Sequence, residues 1–233
     1  MKVPFSKRLL ACAAYVRKGA KVADVGCDHG YLGIHLLLSG TASFVAASDL
    51  REMPLQKARE NAEKYGTADQ MSFHVCNGLS AAEGRVDTVV CAGMGADCII
   101  EILEAAPWIR NEHIRLVLQP QTSGQDLRRW LTERGFSILR ETLLDENGFL
   151  YTVLESQFTG NAEMLSPGEQ YVTRQLLQEN SPYLPQYLQR LERGMEKAVT
   201  GLRKGADDPP KLHYYETALR EIREMRKKYG NCQ

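Results

Sequence analysis

Residues 22–33 read VADVGCDHGYLG, and this stretch decides the fold. An apolar run that is typical of a buried strand ends at Asp24, and glycines follow at positions 26, 30 and 33. Glycines directly after a strand let backbone amides and the start of a helix approach a bound ligand closely. The stretch therefore predicts a cofactor-binding loop between the first strand and the helix after it.

The spacing of these glycines disfavours the common nucleotide-binding loops. The dinucleotide fingerprint Gly-x-Gly-x-x-Gly, started at Gly26, requires glycine where Asp28 and Tyr31 stand. The P-loop pattern GxxxxGK[ST] does not occur in the sequence. The run from Asp24 to Gly30 instead resembles the acidic-x-Gly-x-Gly-x-Gly loop of S-adenosyl-L-methionine (SAM) enzymes, with Asp28 in place of the middle glycine.

Strand and helix patterns alternate on both sides of this loop. We predict strands at residues 21–25, 44–48, 71–75, 86–91, 114–119, 137–144 and 149–155, and helices at 30–39, 54–65, 95–105 and 123–134. Alternating units of this kind form a parallel sheet with helices on both faces. The last two strands are separated by a turn containing Asn147 and Gly148, which predicts an antiparallel hairpin. This is an α/β, Rossmann-like arrangement that resembles the seven-stranded sheet of class I methyltransferases.

The pattern changes after the last strand. Residues 158–167 read as a linker, and apolar residues then recur every three or four positions on both sides of a predicted turn at 204–210. We expect a domain at 1–158 and an α-helical, coiled-coil hairpin domain at 159–233. The apolar residues of the two helices by themselves predict only that the helices pack against each other. From Gln186 onward there are 11 basic and 7 acidic residues, so a phosphate-rich partner and a merely solvated helix face are both open.

Composition limits the class of protein. The chain has 29 basic and 29 acidic residues, which excludes a uniformly basic nucleic-acid binder. No apolar stretch is long enough for a membrane span, and the basic N-terminal segment reads as an amphipathic helix rather than a signal peptide. Six cysteines include no CxxC pair, so we expect no metal site and a reducing, cytoplasmic location.

Polar residues follow the second and third predicted strands. Asp49 stands where an acidic side chain binds both ribose hydroxyl groups; the alternative is that it caps the helix before Pro54. Asn77 can bond the adenine ring through its amide. The predicted cofactor-binding set is Asp24, Gly26, Cys27, Asp28, His29, Gly30, Asp49, Leu50, Asn77, Gly78, Leu79, Ala92, Gly93 and Met94.

The fourth strand ends in CAGMG at residues 91–95. Methyltransferases that act on exocyclic amines usually have an Asp/Asn-Pro-Pro-aromatic motif there, whose polar groups hold the NH2. The small residues at this position favour a nucleophile with its own exposed lone pair, such as a ring nitrogen.

The stretch ADVGCDHGYL at residues 23–32 resembles the Gly-x-Asp-His-x-Tyr-Leu signature of the bacterial tRNA (adenine-N1)-methyltransferases of the TrmK type. SKRL at 6–9, AGMG at 92–95, LQP at 118–120 and the helical C-terminal region also match that family, over essentially the full length. The departures are Asp49, Asn77, Ala96 and Gln121.

The resemblance implies SAM as the cofactor, the D-arm of tRNA as the partner and N1 of the adenosine at position 22 as the methylated atom. No obligate protein partner is evident from the sequence. The predicted substrate-contacting residues are Tyr31, Gly95, Gln119, Pro120 and Gln121.

The resemblance also suggests a catalytic role for Asp28. Adenine N1 needs no base, but methylation leaves the ring positively charged, and a nearby carboxylate orients the amino group and stabilises that charge. The alternative is that Asp28 caps the helix that follows. His29 is a cofactor or RNA contact or a buried structural histidine, and Tyr31 is a base-stacking residue or a core aromatic. Two further functions remain open: a methyltransferase of another substrate, and a non-catalytic SAM-binding RNA module.

Overall fold

The computed structural model describes residues 4–205 and 208–229. At its centre is a seven-stranded sheet in the order β3-β2-β1-β4-β5-β7-β6. The strands are β1 (Ala20–Val25), β2 (Ala42–Asp49), β3 (Met71–Val75), β4 (Thr88–Met94), β5 (Arg115–Pro120), β6 (Phe136–Glu146) and β7 (Phe149–Phe158). The predicted α/β, Rossmann-like sheet is therefore confirmed.

Strands β1 to β5 pair in parallel, whereas β7 runs antiparallel to both β5 and β6. The predicted terminal hairpin is confirmed. Its turn is made by Asn147 and Gly148 with φ of 56° and 81°, the left-handed conformations that a tight two-residue hairpin turn requires.

Helices cover both faces of the sheet, as predicted. They are α1 (Lys7–Tyr15), α2 (Tyr31–Leu38), α3 (Glu52–Tyr65), α4 (Ala96–Glu104) and α5 (Gly124–Glu133). One apolar core lies under α1, α2 and α3, and a second lies under α4 and α5. Because β1 and β4 are neighbours from which the chain winds in opposite directions, a crevice forms at the carboxyl ends of these strands, where α/β proteins bind ligands.

The C-terminal part is helical, as expected. It consists of α6 (Arg174–Glu179), α7 (Leu184–Gly205) and α8 (Pro209–Tyr229), with α7 and α8 packed together. The predicted turn at 204–210 includes residues 206 and 207, which lie outside the described residues, as does Cys232. None of the helices in the described ranges has the length and apolar character that crossing a bilayer requires.

A buried ion pair joins the sheet to this helical part. The Arg128 guanidinium group on α5 donates to Glu141 on β6, and the two side chains are 2% and 0% exposed. Arg128 also donates to Thr152 Oγ1 (3.0 Å) and to the Gln170 carbonyl oxygen (3.3 Å), while Thr173 Oγ1 donates to Glu141 Oε2 (2.6 Å). The segment that the sequence predicts as linker is thus followed at once by residues that are packed into the domain. We call Arg128, Glu141, Thr152 and Thr173 the junction cluster.

Candidate active site

Two cavities open at the carboxyl edge of the sheet, on either side of Gly26. The larger, of about 370 Å³, lies between the loop after β1 and the ends of β4 and β5. The smaller, of about 230 Å³, lies between the ends of β1, β2 and β3 and helix α4. Gly26 lines both cavities. The predicted loop therefore stands between two halves of one crevice.

The backbone of the loop after β1 is fixed by its neighbours. Gly26 N and Cys27 N both donate to the Ser48 carbonyl oxygen on β2, at 2.9 and 3.0 Å. Gly26 has φ of 67°, and Asp28 has φ of 49°, an unusual value for a residue with a side chain. Such strain in a loop that lines a cavity is typical of functional positions.

Asp24 is the buried acid at the end of β1. Its Oδ2 accepts a hydrogen bond from Gly33 N (3.3 Å), and burial raises the pKa of its carboxyl group to about 7. The side chain lines the larger cavity, and within the described residues its second oxygen has no hydrogen-bond partner. An acid in this state favours a cationic or hydrogen-bond-donating ligand group.

The smaller cavity has the features of an adenosine site. Asp49 lies in its wall, with Oδ1 accepting from Arg51 N (3.0 Å) and with no partner for Oδ2 among the described residues. The helix-capping alternative for Asp49 is wrong, because the N-cap of α3 is Arg51 and Asp49 lies two residues before it. Asn77 is exposed in the same wall, and Leu50, Gly78 and Met94 also line it.

The larger cavity brings together the residues of the Asp28 hypothesis. The Asp28 carboxylate is 68% exposed, and the only ionisable side chain within salt-bridge distance of it among the described residues is His29, whose Nε2 lies 3.6 Å away. The alternative that Asp28 caps α2 is wrong: the N-cap is Gly30, and the helix has no side-chain cap. Asp28 is thus a free carboxylate at the mouth of a pocket.

His29 and Tyr31 form one aromatic wall of this cavity. Their rings stack with centroids 5.8 Å apart and an angle of 21°. His29 is 45% exposed, so the buried-histidine alternative is wrong, and Tyr31 is half-buried at the cavity rather than in the core.

The opposite wall is built from the ends of β4 and β5. Gly93 has φ of 78°, and its N–H donates to Gln119 Oε1 at 3.0 Å. Gln119 Nε2 in turn donates to the Pro120 carbonyl oxygen (2.9 Å), so this amide is fully engaged and buried. Gln121 N donates to the Met94 carbonyl oxygen (2.8 Å), and the exposed Gln121 side chain lines the cavity with Ala92 and Gly93.

Four predicted site residues line neither cavity. Leu79 belongs to the core, Gly95 precedes α4 and Pro120 is buried at the end of β5. A Cβ at Gly30 would stand 2.9 Å from Ala58 Cβ, so this glycine permits α2 and α3 to approach each other. The contacts of these four residues with cofactor or substrate stay predictions. Each of the four also has an evident structural function.

Sequence reasoning missed the wall that helix α1 contributes. Ser6, Arg8 and Leu9 line the larger cavity. Arg8 Nε donates to Glu146 Oε2 (2.5 Å), and its guanidinium carbon lies 4.7 Å from the centre of the Tyr151 ring. The SKRL match near the N-terminus was the available signal for this wall. Cys98, Ile102 and Arg51, which line the smaller cavity, carried no signal of their own.

The pair of cavities fits SAM. The smaller offers a carboxylate to a vicinal diol and an amide to a purine, and its apolar walls suit a ring. The larger offers an acid, Asp24, to an ammonium group and a cation, Arg8, to a carboxylate. Among the described residues, no group of three or more His, Cys, Asp or Glu is arranged to hold a metal ion.

Comparison with known proteins agrees with this geometry. Residues 5–154 match the model of the family described as "Methyltransferase domain". The tRNA (adenine(22)-N(1))-methyltransferase of Bacillus subtilis is 34% identical over 157 residues, which cover 67% of this chain and 66% of that protein. The alignment thus spans slightly less than two thirds of that relative.

Solved structures match over nearly the whole chain. The crystal structure of the B. subtilis M1A22 tRNA methyltransferase TrmK is similar with a TM-score of 0.86 and 26% identity, over 96% of this chain and 99% of that one. Streptococcus pneumoniae Sp1610 in complex with S-adenosyl-L-methionine matches with a TM-score of 0.79 and 31% identity, over 95% and 99%. The chain therefore belongs to the methyltransferase domain family, with S-adenosyl-L-methionine as its cofactor.

Proposed function

We propose that the protein transfers the methyl group of SAM to N1 of the adenosine at position 22 in the D-arm of tRNA. The observation that carries the proposal is the free Asp28 carboxylate in a cavity that adjoins the cofactor loop and faces the small residues at the end of β4. The names of the similar B. subtilis proteins support the same substrate.

The residues of the larger cavity suit a ring nitrogen. Adenine N1 attacks with its own lone pair, so the reaction needs no general base. Asp28 accepts a hydrogen bond from the adenine amino group on the N1 side and stabilises the positive charge that develops on the ring. The stacked pair of His29 and Tyr31 offers an aromatic surface to an unstacked base. SAM, when bound, supplies an electrophilic methyl group.

Asp24, Asp49 and Asn77 hold the cofactor in this proposal. Asp49 accepts from the ribose hydroxyl groups, Asn77 bonds the adenine of the cofactor, and Asp24 faces its ammonium group. Arg8, held by Glu146 and Tyr151, is the cation in the larger cavity that can meet the cofactor's carboxylate.

The tRNA surface in this proposal includes helix α7. Several arginines of the helical hairpin are neutralised by glutamates, as in the pairs Arg203–Glu216 and Arg223–Glu196. Arg190, Arg193 and Lys197 are exposed and, within the described residues, have no acidic partner within salt-bridge distance. Their spacing of three and four residues places them on one face of α7. This basic stripe can bind the phosphates of an RNA arm, and a tRNA substrate places the protein in the cytoplasm.

The test is methylation of unmodified bulk tRNA with labelled SAM, followed by nucleoside analysis. We expect 1-methyladenosine, and we expect it to vanish when the adenosine at position 22 is replaced by guanosine. Label in another nucleoside, or in none, would contradict the proposed reaction.

The tRNA surface is tested separately. Changing Arg190, Arg193 and Lys197 together to Gln should weaken tRNA binding, with SAM affinity unchanged. The slope of the logarithm of the tRNA binding constant against the logarithm of salt concentration should fall by the amount expected for about three phosphate contacts. The matched control changes the paired residues Arg203 and Arg223 to Gln. Equal losses in the two variants would refute the assignment of the stripe.

A further inference from the structure

Gln121 is a polar side chain in the larger cavity to which the reaction as described assigns no task. Its backbone is fixed, because Gln121 N donates to the Met94 carbonyl oxygen at 2.8 Å. Its side chain lies over Gly93: Nε2 stands 3.5 Å from the position that a Cβ on Gly93 would occupy. That separation is an ordinary van der Waals distance, so the amide packs over a bare glycine with φ of 78°.

The neighbouring glutamine shows what a structural amide looks like here. Both polar atoms of Gln119 are engaged, with Oε1 accepting from Gly93 N and Nε2 donating to the Pro120 carbonyl oxygen. Gln119 is 1% exposed, whereas Gln121 is exposed. Within the described residues no hydrogen bond engages the Gln121 amide, so its donor and acceptor remain for a ligand.

The chemistry of N1 methylation defines which part of the base this amide can reach. Adenine N1 must face the methyl donor, so the Watson–Crick edge is turned toward the cofactor and Asp28. The edge left for recognition is the Hoogsteen edge, which presents the N7 acceptor and the outer hydrogen of the N6 amino group. A side-chain amide is complementary to this pair of groups, since its oxygen accepts from N6 and its nitrogen donates to N7.

We propose that Gln121 reads the Hoogsteen edge of the target adenine and thereby selects adenine over guanine. Guanine presents O6 and N7, two acceptors, so the amide oxygen meets O6 without a hydrogen between them. With Asp28 on the inner N6 hydrogen and Gln121 on the outer one, both hydrogens of the amino group are held and N1 is fixed toward the methyl group. This inference rests on the proposed function, because it presupposes adenine as the target.

The experiment uses tRNA transcripts that carry adenosine or 7-deazaadenosine at the target position. Wild type, Gln121→Ala and Gln121→Glu are compared by kcat/KM for methylation. Because the deaza base also differs in the basicity of N1, the ratio of the two substrates is taken within each enzyme. The control variant is Gln56→Ala, an exposed glutamine on α3 outside both cavities.

In wild type and in Gln56→Ala, loss of N7 should lower kcat/KM about tenfold more than it does in Gln121→Ala, the scale of one partner in a bidentate contact. In Gln121→Glu, kcat/KM for 7-deazaadenosine relative to adenosine should be higher than in wild type. The carboxylate repels the N7 lone pair of adenosine, and the deaza base has no such lone pair. SAM affinity should be the same in all four proteins.

Equal substrate ratios in wild type and Gln121→Ala would overturn the inference, as would a ratio in Gln121→Glu that matches wild type. Wild-type methylation of the adenosine transcript separates the two levels of the proposal. If this transcript gains no 1-methyladenosine, the proposed function fails and the inference falls with it. If it is methylated normally but the ratios are equal, the proposed function stands and only the role of Gln121 is refuted.

Discussion

The carboxylates at the two ends of the catalytic domain differ in how completely the protein satisfies them. At the cofactor edge, Asp24 has one backbone hydrogen bond, Asp49 has bonds to one oxygen only, and Asp28 stands free apart from His29. At the junction cluster, both oxygens of Glu141 are bonded by Arg128 or Thr173. A carboxylate whose two oxygens are both hydrogen-bonded by the protein stabilises the fold, whereas one with an unbonded oxygen is available to a ligand. Changes at the junction should therefore affect stability, and changes at the cofactor edge should affect function.

The largest expected effect is at the junction. Glu141→Gln leaves the buried Arg128 charge without its partner, so the free energy of unfolding should fall by about 3–5 kcal/mol. Urea unfolding measures this, and Glu112→Gln, at an exposed carboxylate, is the matched control. A fall in the free energy of unfolding as small as that of the control would mean that the ion pair does not stabilise the junction cluster.

Asp24 should behave in the opposite way. Its folded pKa of about 7 lies above the unfolded value, so the folded state binds the proton more tightly, and stability falls as pH rises from about 4 to about 7. A shift of about three units corresponds to an upper limit of about 4 kcal/mol. Asp24→Asn should therefore melt higher than wild type at pH 8 without SAM and about equally at pH 4.5.

The same Asp24 variant should bind SAM more weakly at pH 8, which calorimetry can measure. A variant that is less stable than wild type at both pH values would place Asp24 with Glu141 as a structural acid and break the comparison.

Asp28→Asn isolates charge from shape. Turnover should fall about 10²-fold, or about 2.7 kcal/mol, because the neutral amide no longer stabilises the charge on the ring. SAM affinity and melting temperature should stay near wild-type values, because Asp28 caps no helix. Single-turnover methylation gives the rate, and full activity in this variant would refute the catalytic assignment.

The smallest of these effects concerns Asp49. Asp49→Ala should weaken SAM binding by about 1.5–3 kcal/mol, the range for hydrogen bonds to a charged group. Since Asp49 is not the N-cap of α3 and its bond to Arg51 N is exposed, the melting temperature without SAM should change little. Unchanged SAM affinity in a folded variant would remove Asp49 from the ribose site.

The sequence predicted the elements with strong periodicity and the loop with unusual glycines. The parallel strands, the hairpin at Asn147 and Gly148 and the two long helices were all predictable because each has a local signal. Helix α6 was missed because six residues show too little of a helical period. The buried position of Arg128 was missed because a charged residue on an amphipathic helix normally faces water.

In the site, prediction was good where residues follow strand ends and poor where distant segments meet. Asp24 and Asp49 lie at the carboxyl ends of their strands and Asp28 and Asn77 come just after a strand, so parallel topology alone brings them to one edge. Arg8 reaches the cavity only because Glu146 and Tyr151 hold it there, and no local pattern records a contact over 138 positions. Leu79, which lines neither cavity, was predicted only because it is adjacent to Asn77 and Gly78.

The contact between Arg8 and Glu146 bears on the order in which the enzyme assembles during synthesis. Helix α1 leaves the ribosome before the last hairpin of the sheet, and the carboxylate that fixes Arg8 is 138 residues further along the chain. At bacterial and eukaryotic elongation speeds this is a delay of roughly 7–28 s. During that interval the strands that carry Asp24 and Asp49 can pair, while the wall made by Ser6, Arg8 and Leu9 has no anchor. A nascent chain that ends before Glu146 therefore carries the cofactor loop without a closed pocket, and the pocket is completed only as the last hairpin forms.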